Sequence, residues 1–259
     1  MAANVHPTAV ISDGAKLDAN VEVGPYAIIG PNVRLGFGTT VGAHAVLDGH
    51  TTLGRENRVF PHAAVGLVPQ DLKYKGEPTS LEVGDQNIFR EFCTVHIGTV
   101  GGHGSTRVGS RNLVMAYAHV AHDCRLGDGN VLANCATLAG HVQVGNHAVL
   151  GGLSAIHQFV RIGSHAFISG GSMVAMDVPP YCTAQGDRAT LAGLNSVGLS
   201  RHGFDKEQVR RIKSAYKTIF RSKLGLREAL SQVRAEFSDY EEIEHLVSFI
   251  EKSERGIAR

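Results

Sequence analysis

The chain has 259 residues, 43% of them hydrophobic, which is enough apolar material for a sizeable core. Its formal net charge is +1 at pH 7, so it lacks the overall positive field that attracts nucleic acid or an anionic membrane. No apolar run approaches the ~20 residues of a membrane span, and the first residues show no signal-peptide pattern. We therefore expect a cytoplasmic protein that is not membrane-embedded and binds no nucleic acid.

Aliphatic residues recur at every sixth position through the first two thirds of the chain. The series runs from Val5 to Val65, returns between Val83 and Val95, and continues from Val108 to Val174. A period of six matches neither the 3.6-residue period of a helix nor a long two-residue alternation. It is typical of repeats in which each hexad forms one short strand and one corner. The pattern predicts a three-sided parallel β-helix.

Two segments interrupt this repeat. The stretch from Leu67 to Ser80 lacks the expected aliphatic residues, and the glycine-rich stretch from Gly98 to Thr106 shifts the register by one residue. Both are predicted to leave the coil as loops, where functional residues of a rigid scaffold often lie. The repeat ends at Asp177-Val178-Pro179-Pro180, because proline cannot donate to a strand ladder. We expect a β-helix domain over residues 1–188 and a C-terminal helical domain over residues 189–259.

From Asp205 the apolar periodicity becomes helical. Gly225 is expected to end the first helix, and a second amphipathic stretch runs from Leu226 to Phe237. The run from Ser238 to Glu241 predicts a capping box that opens a third helix. The apolar faces of these helices must pack against the β-helix or against a neighbouring molecule.

The repeat also predicts which polar residues lie together. Three hexads make one coil of 18 residues, so residues 18 apart stack in adjacent coils about 4.8 Å apart. His122, Gly140 and Gln158 then form one column. The polar residues gathered on this edge are His119, His122, Asp123, His141, His157 and Gln158. They occupy neither the aliphatic nor the small-residue position of the hexad, so their side chains are expected to face outward.

Several segments are more selective than the generic repeat: Ala118-His119-Val120-Ala121-His122-Asp123-Cys124, residues 138–142, residues 156–159, residues 70–79 and residues 177–181. They resemble the acyl carrier protein-dependent UDP-N-acetylglucosamine O-acyltransferases of lipid A biosynthesis. The resemblance extends over essentially the full length. It implies a left-handed coil, a homotrimer with active sites between subunits, and transfer of an (R)-3-hydroxyacyl group from acyl carrier protein to the glucosamine 3-hydroxyl of a UDP-sugar. It implies no cofactor and no metal, since the thioester already activates the acyl group.

The resemblance also implies roles for individual residues. His122 would act as the general base, Asp123 would orient its imidazole, and the backbone N–H of Gly140 would bind the oxyanion. The residues implied to bind the sugar nucleotide or the acyl donor are Asp71, Lys73, His96, His119, His141, His157, Gln158, Asn195 and Arg201. Gly170 is implied to leave the acyl groove open, which favours a long hydroxyacyl donor. The acidic carrier protein is expected to dock on basic residues of the tail, namely Arg210, Arg211, Lys213, Lys217, Arg221 and Lys223.

Three positions depart from the family pattern. Ile97 replaces an arginine, Val197 replaces a glutamate, and His202 replaces the second of two arginines. They leave open whether the acceptor is UDP-N-acetylglucosamine or its 3-amino analogue.

Alternatives from other classes are another hexapeptide acyltransferase (N-acyl or coenzyme A-dependent), a zinc hydratase on the same scaffold, and a purely structural β-helix. The loop at residues 70–79 and the helical tail argue against the first. The crowded histidine edge argues against the last.

Overall fold

The computed structural model describes residues 2–259, and it confirms the parallel β-helix. Short strands alternate with corners, and most successive strands belong in turn to three sheets. Strands of adjacent coils pair in parallel at the predicted spacing of 18 residues, as Asn4 does with Glu22 and Val131 with Val149. In most strands the first residue faces outward, and the aliphatic residue that follows it points into the core.

The three sheets form the three faces of a prism. The first face comprises β1 Asn4–Val5, β4 Glu22–Val23, β7 Thr40–Val41, β10 Arg58–Val59, β13 Ile88–Phe89, β16 Leu113–Val114, β19 Val131–Leu132, β22 Val149–Leu150, β25 Phe167–Ile168, β27 Cys182–Gln185 and β28 Thr190–Leu194. The second face comprises β2 Val10–Ile11, β5 Ile28–Ile29, β8 Val46–Leu47, β11 Ala64–Leu67, β14 Thr94–His96, β17 His119–Val120, β20 Thr137–Leu138, β23 Ala155–Ile156 and β26 Met173–Val174. The third face comprises β3 Lys16–Leu17, β6 Arg34–Leu35, β9 His50–Leu53, β12 Ser80–Val83, β15 Ser105–Val108, β18 Arg125–Leu126, β21 Gln143–Val144 and β24 Arg161–Ile162.

Columns of corner residues with positive φ mark the edges between these faces. The first edge joins the first and second faces and contains Tyr26, His44, His62, Phe92, Tyr117, Cys135, Leu153 and Gly171. The second edge joins the second and third faces and contains Gly14, Asp123, His141 and Phe159. The third edge joins the third and first faces and contains Asn20, Gly38, Glu56, Gln86, Arg111, Gly129, His147 and His165.

A ladder of buried asparagines lines the inside of the third edge. The side-chain oxygens of Asn57, Asn87 and Asn112 each accept the backbone N–H of the next asparagine along the axis, at 2.8–2.9 Å. Asn130 continues the ladder by accepting from the N–H of Ala148. Each of these hydrogen bonds joins two successive coils, so the ladder holds the coils together at a corner that has no strand pairing.

Both predicted loops leave the coil at the second edge. The first lies between β11 and β12, and pairing there jumps from Arg58 to Ile88. The second lies between β14 and β15, and pairing jumps from Ile88 to Leu113. The second jump is 25 residues, seven more than one coil, which accounts for the one-residue register shift in the hexads.

The tail contains four helices: α1 Ser196–Arg201, α2 Lys206–Arg221, α3 Leu226–Glu236 and α4 Glu241–Glu251. A capping box is present at the start of α2, between Asp205 and Gln208. The capping box predicted from Ser238 is wrong, because α4 begins after Tyr240 and has no side-chain cap; the Ser238 hydroxyl instead donates to Asp239. In the part of the chain that the structure describes, every helix is too short or too polar to cross a membrane.

The helices pack around an apolar core of their own, which also takes in Tyr181 at the top of the β-helix. The hairpin strand β28 extends the first face beyond residue 188, and the helices begin at Ser196. The division of the chain at residue 188 stays a prediction. After α4 the chain returns to the second edge, where the N–H of Ala258 donates to the carbonyl of Asp177.

Candidate active site

His122 and Asp123 form a pair at the second edge. The Nδ1 atom of His122 lies 2.8 Å from a carboxylate oxygen of Asp123. The His122 side chain is 17% exposed, whereas that of Asp123 is fully buried. The carboxylate of Asp123 points away from the coil, as predicted, but it is not exposed, because the loop between β14 and β15 folds over this corner. The buried carboxylate fixes the imidazole so that its Nε2 atom is the one available to a substrate.

The covering loop supplies most of the hydrogen bonds of Asp123. The carboxylate accepts the Thr99 hydroxyl at 2.7 Å, the Thr99 N–H, and the His103 N–H at 2.8 Å. Burial raises the pKa of Asp123, but the bonds from Thr99, His122 and His103 outweigh burial, so the pKa lies below its usual value. Gly102 lies against the same carboxylate, and a Cβ atom there would overlap it. The loop thus keeps the Asp123 carboxylate ionised and shields it from water.

Gly140 lies one coil above His122, as the 18-residue spacing predicts. A Cβ atom at this position would lie 2.6 Å from Cε1 and 2.7 Å from Nε2 of His122, so only glycine allows this approach. The carbonyl of Gly140 accepts the N–H of Phe159. Within residues 2–259 the N–H of Gly140 donates to no backbone acceptor, although the residue is buried. A backbone donor is thus available directly beside the imidazole.

His141 forms the other wall of this corner. Its ring stacks on Phe159, with the centroids 4.4 Å apart, and meets the His122 ring edge-on at 5.2 Å. Burial lowers the pKa of His141, the nearby carboxylate of Asp123 raises it, and the net direction is downward. His141 is therefore a neutral partner for hydrogen bonds near neutral pH.

Two further histidines lie below this corner on the second face. His119 contacts the Thr94 hydroxyl through Nδ1 at 2.6 Å, and the His96 ring meets the His119 ring edge-on at 4.9 Å. Burial, followed by the charges of His119 and His122, lowers the pKa of His96 to about 4. The pKa of His119 is lowered mainly by burial and also by His122. Neutral imidazoles of this kind suit the hydroxyl groups of a sugar better than an anion.

Asp71 and Lys73 lie on the long loop between β11 and β12. The Lys73 N–H donates to the Asp71 carboxylate at 2.9 Å, and the Leu72 side chain between them is fully exposed. The charge of Asp71 influences the pKa of His141, so this part of the loop lies close to the histidine corner. Both predicted loops therefore contribute to the same edge.

The structure does not place every predicted residue at this corner. His157 and Gln158 lie one coil above Gly140 on the second edge, and both are exposed. Asn195 lies at the third edge, where its amide donates to the carbonyl of His165 and its oxygen caps α1. Arg201 ends α1, and the ring of the next residue, His202, contacts His147 and His165 of the same edge. Gly170 lies beside the first edge, where a Cβ atom would lie 3.3 Å from the Gly152 carbonyl. One subunit therefore divides these residues among three edges.

Sequence reasoning missed Thr99, Gly102 and His103. Their loop was predicted as an irregular segment, but the 18-residue spacing does not apply inside it. The one available signal is that the loop enters and leaves at the edge that carries His122.

Ligand atoms of His122, Asp123 and His141 lie within 4.8 Å of one another, close enough to hold a metal ion. Both oxygens of Asp123 already accept hydrogen bonds from the loop, however, and one also contacts His122. A cation at this point would have to replace those bonds. The donor set fits a base and its orienting carboxylate better than a zinc site.

Comparison with known proteins gives matches over nearly the whole chain. A family model described as UDP N-acetylglucosamine O-acyltransferase, domain 2, matches residues 177–258, and a model of bacterial transferase hexapeptide repeats matches residues 8–43 and 105–140. The acyl-[acyl-carrier-protein]–UDP-N-acetylglucosamine O-acyltransferase of Myxococcus xanthus is 58% identical over 257 residues, covering 99% of this chain and 100% of the relative. The protein of the same name from Anaeromyxobacter sp. (strain Fw109-5) is 56% identical over 255 residues, covering 98% and 99%.

Solved structures of UDP-N-acetylglucosamine acyltransferases also match nearly the whole chain. The UDP-N-acetylglucosamine O-acyltransferase from Moraxella catarrhalis matches with a TM-score of 0.96 at 42% identity, covering 98% of this chain and 99% of that chain. The UDP-N-acetylglucosamine acyltransferase from Campylobacter jejuni matches with a TM-score of 0.94 at 40% identity over the same shares. These likenesses confirm the left-handed coil that the resemblance implied and the helical tail that the apolar periodicity predicted.

Proposed function

Because this chain belongs to the acyl-[acyl-carrier-protein]–UDP-N-acetylglucosamine O-acyltransferase family, we propose that His122 is the general base of its reaction and Gly140 its oxyanion donor. The enzyme transfers an acyl group from acyl carrier protein to UDP-N-acetylglucosamine in lipid A biosynthesis. In the proposal the group is an (R)-3-hydroxyacyl chain and the acceptor atom is the glucosamine 3-oxygen. A cytoplasmic location, as expected from the sequence, is part of the same proposal.

The observation that carries the mechanism is the His122–Asp123 pair beneath the backbone of Gly140. Asp123 is ionised and holds the proton of His122 on Nδ1, which leaves Nε2 free to accept the proton of the sugar hydroxyl. The oxygen then attacks the thioester carbon, and the Gly140 N–H stabilises the oxyanion that forms. When the carbon–sulfur bond breaks, the thiolate leaves and takes the proton back from the imidazolium. No other group has to gain or lose a proton.

Acceptor binding falls to the neutral histidines and to the long loop. His96, His119 and His141 all have lowered pKa values, so they can exchange hydrogen bonds with sugar hydroxyls without placing charge near the base. Asp71 and Lys73 lie on the loop at the same edge and would complete the sugar site. The positions of Asn195 and Arg201 on a different edge require a second subunit.

We propose a homotrimer because the three faces differ in polarity. Outward positions of the first face from the fifth coil onward are apolar: Ile88, Leu113, Val131, Val149 and Phe167. Those of the second face near the N-terminus are also apolar: Val10, Ile28, Val46 and Ala64. The third face carries mainly charged side chains: Lys16, Arg34, Glu82, Arg107, Arg125 and Arg161. The first two faces are therefore the ones that neighbouring copies would cover.

The first edge, which lies between these two faces, carries a stack of aromatic rings and histidines. Its rings from Tyr26 to Tyr117 stack with centroids 4.9–5.1 Å apart, and Leu153 at its upper end is 68% exposed. Three copies arranged with this edge at the centre would each pack their first face against the second face of the next. The third edge of one copy then approaches the second edge of its neighbour. This arrangement brings Asn195 and Arg201 of one subunit to His122 of another.

Two experiments test the proposal. The protein is incubated with UDP-N-acetylglucosamine and 3-hydroxyacyl carrier proteins of graded chain length, and the product is identified by mass spectrometry. Sharing of the site is then tested by mixing His122→Ala with Arg201→Ala chains, which carry their defects on different edges. Mixed trimers should regain activity, since some of their sites combine two intact edges. Unrestored activity in verified mixed trimers, or a fully active monomer in light scattering, would refute the shared site.

A further inference from the structure

A pocket of about 710 Å³ opens beside the catalytic corner on the side toward the C-terminus. His103 and His141 form its floor, Phe159 forms one wall, and the segment from Lys252 to Arg255 forms the opposite wall. None of the cations in this wall was predicted to have a role. The pocket is continuous with the catalytic site through His141.

The charges around this pocket are unbalanced. It is lined by three cations, Arg161, Lys252 and Arg255, and within residues 2–259 none of them lies within ion-pair distance of a carboxylate. The two acids of the lining are Asp177 and Glu254. Asp177 is fully buried, and its oxygens already accept the Arg161 N–H and the Ser253 hydroxyl. An excess of positive charge therefore faces a cavity, which is a setting for an anionic ligand.

Arg255 is the best placed of the three cations. Its Nε–H donates to the carbonyl of Ala175 at 2.9 Å, and one terminal nitrogen lies 2.9 Å from Nδ1 of His157. A guanidinium can only donate, so this contact is a hydrogen bond in the tautomer of His157 that carries its proton on Nε2; the same Nδ1 also lies 3.1 Å from the carbonyl of Gln158. These two contacts fix the arginine on the second edge, and its remaining N–H groups are free. Arg161, by comparison, is used to bind the carbonyl of Lys252 at the end of α4.

The height of Arg255 above the catalytic base matches a known chemical group. His157 and Ala175 lie two and three coils above His122, which corresponds to about 10 to 14 Å along the axis. Acyl carrier proteins hold the acyl thioester on a phosphopantetheine arm, in which 13 bonds separate sulfur from phosphorus. Such an arm has the length of about four extended peptide residues, or ~15 Å. A thioester at Gly140 therefore places the phosphate of its arm near Arg255.

We propose that Arg255, with Lys252 at the rim, forms a phosphate subsite that holds the phosphodiester of the phosphopantetheine arm. Phe159 offers an apolar surface, 53% exposed, to the dimethyl group of the arm. The inference rests on the donor being a phosphopantetheine thioester, as in the proposed function. It assigns a donor-binding role to the C-terminal segment, which closes the β-helix at this point.

The test compares two small donors that differ only in the phosphate: 3-hydroxyacyl phosphopantetheine and the corresponding 3-hydroxyacyl pantetheine. The native enzyme should use the phosphorylated donor with a KM lower by at least about tenfold, as expected for a charged hydrogen bond. Arg255→Met should abolish this preference while leaving the KM for the unphosphorylated donor and for the UDP-sugar unchanged. Arg255→Lys should retain part of it. Added salt should reduce the preference of the native enzyme.

Arg34→Met serves as the matched control, because Arg34 is exposed on the third face in the second coil, far from the pocket. It should keep the full preference. Activity of Arg255→Met with the unphosphorylated donor shows that the variant is folded and that the proposed reaction stands. Equal use of both donors by the native enzyme, an undiminished preference in Arg255→Met, or a raised KM for the UDP-sugar instead would each overturn the subsite.

Discussion

At the scale of single residues, the site depends on a buried carboxylate that an exposed position in the repeat would not suggest. Asp123 is at a corner, as the hexads predict, and the column of His122 and Gly140 also lies where the 18-residue spacing places it. Its burial could not be predicted, because the loop that covers it follows no period. The hydrogen bonds from Thr99 and His103 likewise depend on loop conformation.

Replacing the base should separate catalysis from folding. We expect His122→Ala to lower kcat by at least about 100-fold, as is typical for the loss of a general base, with little change in melting temperature. Asp123→Ala should lower kcat less, but it should also destabilise the protein by about 1–3 kcal/mol, because the N–H groups of Thr99 and His103 lose their acceptor. Near-normal turnover of His122→Ala would contradict the assignment.

Buried histidines should make stability depend on pH. Burial is the main cause that lowers the pKa of His96 and His165 to about 4, against an ordinary value of about 6.5. The unfolded chain therefore binds more protons, and the free energy of unfolding should fall as the pH drops from about 6.5 to 4. Urea unfolding at several pH values measures this slope. His165→Phe keeps a ring against Phe204 and should reduce the dependence of the unfolding free energy on pH. An unchanged slope would contradict the role of His165.

At the scale of elements, the strands up to β26, the two loops and three of the helices follow from periodicity, and β27 lies beyond the prolines at which the repeat was expected to end. The strand β28 and the helix α1 were not predicted. Both are too short to show a period: β28 pairs in antiparallel fashion with β27, and α1 is one and a half turns capped by Asn195. The buried asparagine ladder was also missed, because asparagine at a corner is equally typical of an exposed turn. Whether such a segment forms a strand, a helix or a buried ladder depends on tertiary packing, which a sequence period does not show.

The loop that covers Asp123 offers a matched pair of glycines. A Cβ atom at Gly102 would overlap the Asp123 carboxylate, whereas at Gly101 it would meet no atom within 4 Å. We expect Gly102→Ala to lower kcat by about tenfold or more, because a misoriented carboxylate no longer positions His122. Gly101→Ala should behave as the native enzyme. Steady-state kinetics of both variants test this prediction. Equal kcat values for Gly102→Ala and Gly101→Ala would show that the loop can shift without loss of activity.

The acidic carrier protein is expected to dock on the basic residues of helix α2. Of its basic residues, Arg211 pairs with Glu242 at 2.8 Å and lies over the Tyr240 ring, and Arg221 donates to the Leu191 carbonyl. Lys213 and Lys217 are exposed and lie one turn apart. Reversing both charges should raise the KM for an acidic carrier protein at low salt and leave kcat unchanged.

Charge reversal at Lys16 and Arg34, in the first coils, is the control for this docking surface. This double variant should keep the native KM for the carrier protein. A KM for the carrier protein that is equal in both double variants would place docking elsewhere.

At the scale of the whole molecule, the fold class was predictable because one period extends over most of the chain. The expectation that sites lie between subunits came from the family resemblance and not from this period, since a repeat gives the height of each residue but not the packing of one copy on another. Gly170 illustrates this point: it lies beside the first edge, away from His122, and its proposed contact with the acyl chain requires a groove that another copy closes.

Substitution at Gly170 should therefore change chain-length preference. Its neighbour Gly171 has the positive φ of this corner, at 68°, so Gly170 can take a side chain without backbone strain. We expect Gly170→Met to shift the optimum to shorter acyl chains, with each excluded methylene costing about 0.8 kcal/mol of binding. Competition between donors of graded length measures the shift. An unchanged preference at a native melting temperature would show that the limit lies elsewhere.

The return of the C-terminus to Asp177 has a consequence for how the chain acquires its structure. Each new coil rests on the coil made just before it, so assembly can proceed upward as the polypeptide leaves the ribosome, with each turn docking on a finished template. The uppermost turn has no such successor. Ile257 and Ala258, which are synthesised after the whole β-helix and all four helices, pair with Asp177 and close it. Release of a nascent chain before these residues emerge would leave an open strand end, on which a second chain could pair.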